Sequence, residues 1–84
     1  VAPDYPSGAM QKGISGYCVI EYTVSKTGAV LNPQVVEGAC EHSRFFAEPS
    51  IEAAKQFKYA PHELDGKAVD VQGVQNKFTY ELLP

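Results

Sequence analysis

Alternation of apolar and polar residues marks the C-terminal end of this 84-residue chain. One side of the extended backbone is apolar and the other polar: Val74, Phe78, Tyr80 and Leu82, against Gln75, Lys77, Thr79 and Glu81. A period of two predicts a β-strand with one buried face, which we place at residues 71–82. As the last element, this strand is expected to keep an outer edge of unpaired N–H and C=O groups.

A second alternating segment, residues 17–24, predicts the central strand. Its apolar side carries Cys18, Ile20, Tyr22 and Val24. A turn follows in which Gly28 can adopt positive φ, and residues 29–36 are predicted as the return strand of a hairpin. Pro33 removes one ladder donor from the return strand, which suits a sheet edge.

Two helices are predicted from spacing and capping. The short one covers residues 7–12, with Ser7 as the candidate N-cap. The long one covers residues 45–57 and carries an apolar stripe at spacings of three and four: Ala47, Ile51, Ala54 and Phe57. Pro49 is expected in the first turn of this helix, where proline is tolerated. Residues 37–44 are expected to form a polar loop.

The order of the elements constrains the sheet. The first two strands form an antiparallel hairpin, and a helical crossover returns the chain so that the last strand pairs antiparallel with the first. The predicted fold class is α+β: a two-layer domain with a three-stranded antiparallel sheet of order 2-1-3 and two helices on one face. Its core is expected to hold Ile20, Tyr22, Ile51, Phe57 and Phe78.

Composition narrows the functional class. The chain is 44% hydrophobic with a net charge of −3, and basic and acidic residues are interspersed. We expect no nucleic-acid partner because no basic stripe is present. No apolar stretch approaches the ~18 residues of a membrane span, and no signal peptide is visible. Because the chain starts at Val1 without Met, we expect residues 1–84 to be one domain excised from a longer protein.

The two cysteines, Cys18 and Cys40, leave three alternatives open. They can form one disulfide, remain as two buried thiols, or take part in a metal site with His42. Hairpin pairing around Thr27 puts Cys18 opposite Val36 or Glu37, so a disulfide requires a bulge at Pro33 to close the gap.

Candidate chemistry is sparse. Ser43 directly follows His42, and adjacency in sequence does not build a catalytic triad. The glycines at Gly13 and Gly16 lack the preceding strand of a dinucleotide-binding loop. We therefore expect no enzyme, no cofactor and no metal site.

A series of short motifs runs along the chain: Tyr5-Pro6, Gly13-Ile14, Gly16-Tyr17, residues 19–24, Gly28, Val30, Asn32-Pro33, Val35-Val36-Glu37, Phe46, Ile51, Ala53, Phe57-Lys58-Tyr59, Pro61, Asp65-Gly66-Lys67 and Gly73-Val74. Together they resemble the C-terminal domain of the TonB family, from about Tyr5 to Leu82. The return strand and the ending after Gly73 look most like the TonB2-type branch.

The resemblance implies a periplasmic domain of a protein anchored in the inner membrane of a Gram-negative bacterium. Such domains bind the TonB box, an extended segment of an outer-membrane transporter, as an added strand. They pass on proton-motive energy from the ExbB–ExbD complex, as in iron uptake. The oxidising periplasm would favour a bridge between Cys18 and Cys40.

The resemblance also implies two sets of partner-binding residues. The first is the edge strand: Val74, Gln75, Asn76, Lys77, Phe78, Thr79 and Tyr80. We expect only one of Gln75 and Lys77 to point its N–H outward. The second is the N-terminal lead-in, with Tyr5, Pro6 and Lys12. Many relatives carry a basic residue where this chain has Gly8, so Lys12 is the expected substitute.

An alternative function stays open, namely a periplasmic adaptor or scaffold of the same fold without energy transduction. The sequence does not name the transporter or its cargo. It permits a monomer or a strand-exchanged dimer, because a free edge and a short hairpin allow exchange.

Overall fold

The computed structural model describes residues 2–82 of the chain. Two helices and five strands follow in the order α1 Ser7–Lys12, β1 Gly16–Val24, β2 Val30–Cys40, α2 Ser43–Lys55, β3 His62–Leu64, β4 Lys67–Val69 and β5 Val71–Tyr80. Strands β2, β1 and β5 form an antiparallel sheet in that order, with β1 in the centre. The predicted α+β class and the 2-1-3 order are confirmed.

Strands β3 and β4 form a separate two-stranded hairpin, and neither strand is predicted from the sequence pattern. Its connection is Asp65-Gly66, and both residues have positive φ, 52° and 80°. An Asp-Gly pair is a preferred two-residue hairpin connection of this kind. The local signal was therefore present, although the strands it joins are only three residues long.

The helices differ from the prediction at their ends. Ser7 lies inside α1, and Pro6 is the N-cap. Helix α2 begins at Ser43 and ends at Lys55, so Pro49 lies in its second turn and not its first. Because proline has no N–H, the i→i−4 bond to Phe45 is missing there. The helix therefore tolerates one lost hydrogen bond.

The region between β1 and α2 also differs. Strand β2 runs to Cys40 and α2 begins at Ser43, so only residues 41–42 of the polar loop predicted at 37–44 form a turn between them. Glycine and polar residues in this stretch gave a loop signal, whereas pairing with β1 keeps the chain extended. At the other end of the sheet, Leu82 lies beyond β5 and is 37% exposed, so it does not share the buried face of that strand.

The core lies between the sheet and the helices. It joins the inward residues of β1 to Ala9 of α1, to Phe46, Ala53 and Ala54 of α2, and to Phe78 and Tyr80 of β5. Phe46 is completely buried, whereas Ile51 and Phe57 are half-buried and pack against the core from its margin. The buried stripe of α2 is thus Phe46, Ser50, Ala53 and Ala54, which shares only Ala54 with the predicted stripe.

A disulfide joins Cys18 in β1 to Cys40 in β2, and these residues face each other in the register. Between the pairs Ile20–Val35 and Cys18–Cys40, one residue of β1 stands opposite four residues of β2. The irregularity at Asn32-Pro33 adds only one further residue. The gap is therefore closed mainly at residues 36–39 and not at Pro33, as the sequence had suggested.

We predict that truncating Phe46 destabilises the domain more than truncating Phe57. Phe46→Ala empties a fully buried site and should lower the free energy of unfolding by about 3–5 kcal/mol. Phe57→Ala should cost less, because that ring is already partly exposed. Urea unfolding of both variants measures the difference. An equal or larger loss at Phe57 would place the packing centre at the end of α2.

Reduction of the disulfide should also destabilise the domain. The bridge spans 22 positions of sequence, and constraining a loop of that size is worth about 3 kcal/mol in the unfolded state. Urea midpoints with and without a phosphine reductant measure the effect. The double variant Cys18→Ala with Cys40→Ala should not respond to the reductant. Two titratable thiols in unreduced, denatured protein would contradict the bridge.

Candidate functional site

The two edges of the sheet are not equivalent. Strand β2 forms one edge, and it carries Pro33 and two register irregularities. Strand β5 forms the other edge and pairs with β1 in regular register from Gly16–Tyr80 to Tyr22–Val74. A bulge follows only beyond Val74, where Gly73 has a φ of 71°. Among residues 2–82, no strand pairs with the outer side of β5.

Two hydrogen bonds fix which backbone groups of β1 point to which neighbour. The amide of Glu41 donates to the carbonyl of Tyr17, and the amide of Ser25 donates to the carbonyl of Ala29, both at 2.8 Å. Both bonds run toward the β2 side of the sheet. Because backbone groups alternate in direction along a strand, the odd-numbered residues of β1 point to β2 and the even-numbered ones to β5.

The same alternation fixes the direction of the groups in β5. Val74, Asn76 and Phe78 stand opposite even-numbered residues of β1, so their N–H and C=O groups point inward. The groups of the intervening residues, Gln75, Lys77 and Thr79, therefore point outward to the free edge. The expectation that only one of Gln75 and Lys77 points outward is wrong, because residues two apart share a direction.

The side chains of the outward-pointing residues lean back across the sheet. The side-chain amide nitrogen of Gln75, Nε2, donates to Glu21 Oε1 at 2.8 Å. The ammonium of Lys77 lies 4.4 Å from the centre of the Tyr17 ring, at cation–π distance. Both contacts are with β1, on the sheet face opposite the helices. The backbone groups of the outer edge therefore remain accessible.

The inward side chains of β5 anchor the strand to the core. Phe78 and Tyr80 are buried, and Val74 and Asn76 are half-buried. Tyr80 stacks on Phe46 with ring centres 4.2 Å apart, and its hydroxyl hydrogen-bonds Ser50 at 2.7 Å. Sequence reasoning missed Ser50, because a serine on an apolar helix face has no visible partner in the sequence. These contacts hold the strand in place while its edge stays open.

The lead-in residues contact the same end of β5. The Tyr5 hydroxyl donates to the carbonyl of Ile14 at 2.5 Å. Its ring lies edge-on to Phe46 and Tyr80, with centres 5.9 and 5.7 Å away. Pro6 caps α1, and Lys12 lies with its ammonium 5.8 Å from the centre of the Phe45 ring. The structure therefore brings Tyr5 next to Tyr80 and places Lys12 against α2.

At the other end of the core, two tyrosines, Tyr22 and Tyr59, connect strand β1 to the segment that follows α2. The hydroxyls of Tyr22 and Tyr59 hydrogen-bond each other. The amide of Tyr59 also donates to the carbonyl of Gly28 at 2.9 Å. A side chain at residue 28 would collide with the carbonyl of Tyr59, so the approach requires glycine. The hairpin turn and the segment after α2 are thus held in contact.

Burial controls the acidity of two of these phenols. The pKa of Tyr22 lies well above its usual range, because burial disfavours the phenolate and the Tyr59 hydroxyl bonds its neutral form. Burial also raises the pKa of Tyr80, although the hydrogen bond with Ser50 offsets part of the rise. Both phenols stay protonated in the folded domain at neutral pH.

Metal-binding clusters and membrane-spanning helices are both absent from the part of the chain that the structure describes. Residues 2–82 hold no group of three or more His, Cys, Asp or Glu side chains placed to bind a metal. Neither helix of that region combines the length and hydropathy needed to cross a bilayer. The regular edge of β5, which no described strand covers, fits backbone recognition of another chain.

The raised phenol pKa values predict alkaline destabilisation. As pH rises through about 10, the unfolded state ionises first, so the free energy of unfolding falls. Urea midpoints at pH 8 and 10.5 measure the fall. It should be smaller in Tyr22→Phe, which removes one titrating group while leaving the half-exposed Tyr59 hydroxyl to bond water. The same fall in both proteins would show that Tyr22 does not contribute.

Comparison with known proteins gives a consistent result. The chain is 32% identical over 69 residues to "Protein TonB" of Vibrio cholerae, an alignment that covers 82% of this chain. It spans only 28% of the length of that relative.

Two solved structures share the fold. One, from work on the TonB2 protein of Vibrio anguillarum, has a TM-score of 0.73 at 30% identity and is matched over 77% of its length. The other, the C-terminal domain of Pseudomonas aeruginosa TonB, has a TM-score of 0.81 at 26% identity and is matched over 82%. Both matches cover the whole of this chain. Since the family model for the Gram-negative bacterial TonB protein C-terminal matches residues 1–82 as well, the chain belongs to that family.

Proposed function

We propose that this domain binds the TonB box of outer-membrane transporters by strand addition along β5. The regular, uncovered edge at residues 74–80 is the observation that carries the proposal. Outward donors and acceptors at Gln75, Lys77 and Thr79 repeat every second residue, which matches the hydrogen-bonding period of an incoming extended peptide. Each bond formed contributes about 1 kcal/mol net.

The surroundings of the edge support this mode of binding. The inward side chains of β5 are held by the core, so the strand is ordered before a partner arrives and little conformational entropy is lost on binding. Strand β2 offers no equivalent edge, because Pro33 lacks a donor and the register is broken twice. Binding is therefore expected at the β5 edge of the sheet and not at the β2 edge.

The N-terminal lead-in lies at one end of the β5 edge. Tyr5 packs against Tyr80, so the N-terminal segment passes close to the end of β5. A transporter segment added along β5 would meet the lead-in at that end. We propose that Tyr5 and Pro6 contribute to the contact there, and that Lys12 does so from α1.

We place the domain in the periplasm, as part of an inner-membrane-anchored protein that takes up energy from ExbB–ExbD and drives substrate uptake. Family membership supports this role, and the relative from Vibrio cholerae is much longer than the matched segment. In this account β5 transmits force. Pulling along a paired strand loads several backbone hydrogen bonds together.

Proline substitution tests strand addition directly. Lys77→Pro removes an outward N–H without breaking the β1–β5 ladder, so it should weaken binding of a TonB-box peptide at least tenfold. Lys77→Ala keeps the N–H and should bind within about threefold of the unchanged domain. Isothermal titration gives the affinities, and amide shift mapping shows where the peptide binds.

Asn76→Pro is the matched comparison, because the N–H of Asn76 points inward. This variant should instead lower the free energy of unfolding, since it breaks a bond to β1. Normal peptide affinity in Lys77→Pro, with amide shifts gathered at residues 37–44, would rule out addition at this edge. Gel filtration of the free domain would also reveal a dimer that uses the same edge.

A further inference from the structure

A groove lies between the N-terminal lead-in and helix α2, and none of the described residues that line it belongs to β5. It has a volume of about 590 Å³ and is open to solvent. This is the size of cleft that takes a small ligand or a few residues of peptide. We refer to it as the lead-in groove.

The floor of the lead-in groove is apolar and stiff. Pro6 lines it from the lead-in, and Phe45 and Pro49 line it from α2. All three are half-buried. Proline has almost no side-chain entropy to lose, so covering this floor is favourable for an apolar side chain.

The rim of the lead-in groove is mainly acidic. Asp4 contributes a carboxylate from the lead-in, and Glu48 and Glu52 contribute two more from successive turns of α2. Glu52 is paired with Lys55 at 3.1 Å. Within residues 2–82, Asp4 and Glu48 form no ion pair.

Arg44 is the one basic side chain among the described residues that line the groove, and it does not neutralise this rim. Arg44 lies with its guanidinium 5.2 Å from the centre of the Phe45 ring, and it makes no ion pair with Glu48 one turn away within the described chain. Carboxylates four residues apart on a helix repel each other, which slightly destabilises α2. A cationic occupant would remove that repulsion.

We infer that the lead-in groove is a docking site for an extended, basic segment of a partner protein, with apolar side chains on the floor and Lys or Arg at the Asp4–Glu48 rim. An acidic segment is disfavoured by repulsion at the rim. A wholly apolar one would desolvate the carboxylates without compensation. The site does not depend on strand addition at β5.

Titration with two peptides of opposite charge tests the inference. The probe is acetyl-Gly-Leu-Lys-Leu-Lys-Gly-amide, and the control replaces both lysines with glutamates. The lysine peptide should shift amides of Ala2, Asp4, Phe45, Glu48 and Glu52, and its affinity should fall at least threefold between 50 and 300 mM salt. The glutamate peptide should not shift them.

Matched variants separate the groove from general charge effects. Glu48→Gln should weaken lysine-peptide binding at least threefold, whereas Glu63→Gln removes the same charge from the exposed β3–β4 hairpin and should leave it unchanged. Lys77→Pro should also leave groove shifts unchanged, so failure here and failure of strand addition are distinguishable. Equal loss in both glutamine variants, or equal binding of the glutamate peptide, would overturn the inference. Groove shifts that follow the concentration of the domain itself would assign the surface to a second copy and also overturn it.

Discussion

The pairing of β1 with a strand on each side is the constraint on which the rest of this domain depends. Residues 18, 20, 22 and 24 of β1 are buried, and each of its backbone groups is directed to β2 or to β5. Once the hydrogen bonds from Glu41 to Tyr17 and from Ser25 to Ala29 direct the odd-numbered residues to β2, the direction of the groups in β5 follows. The accessible donors of the proposed binding edge are therefore determined two strands away from it.

The outer edges of β2 and β5 differ in regularity, and the two strands are held to β1 in different ways. Strand β2 carries extra residues, a proline and a disulfide, and these features make its outer edge irregular while holding it to β1. Strand β5 stays regular from Val74 to Tyr80 and is held by side chains instead, through Phe78 and Tyr80. An open regular edge invites pairing with another chain. Under the function proposed above, such pairing is how the domain binds its partner, so the edge is expected to stay open.

Hydrogen bonds from buried and half-buried hydroxyls connect the layers of this small domain. Tyr80 reaches Ser50 across the core, Tyr22 reaches Tyr59, and Tyr5 reaches the backbone of Ile14. No buried side-chain nitrogen or oxygen in the described part of the chain lacks a partner. Since an unpaired buried polar group costs about 1–3 kcal/mol, these bonds specify how the lead-in, α2 and β5 fit together as well as stabilising them. The raised pKa values of Tyr22 and Tyr80 also make the fit sensitive to alkaline pH.

The sequence by itself determined the elements with a local signal. Alternation identified β1 and β5, Gly28 and Asp65-Gly66 marked the turns, and Pro33 assigned β2 to an edge. The order of the elements then left one reasonable sheet. Tertiary structure decided the rest, because it depends on partners distant in the chain: the length of β2, the start of α2 with Pro49 in its second turn, and the choice of Phe46 over Phe57 as the packing centre. The disulfide and the outward direction of both Gln75 and Lys77 also follow from register, which the pairing of whole strands sets and no single residue shows.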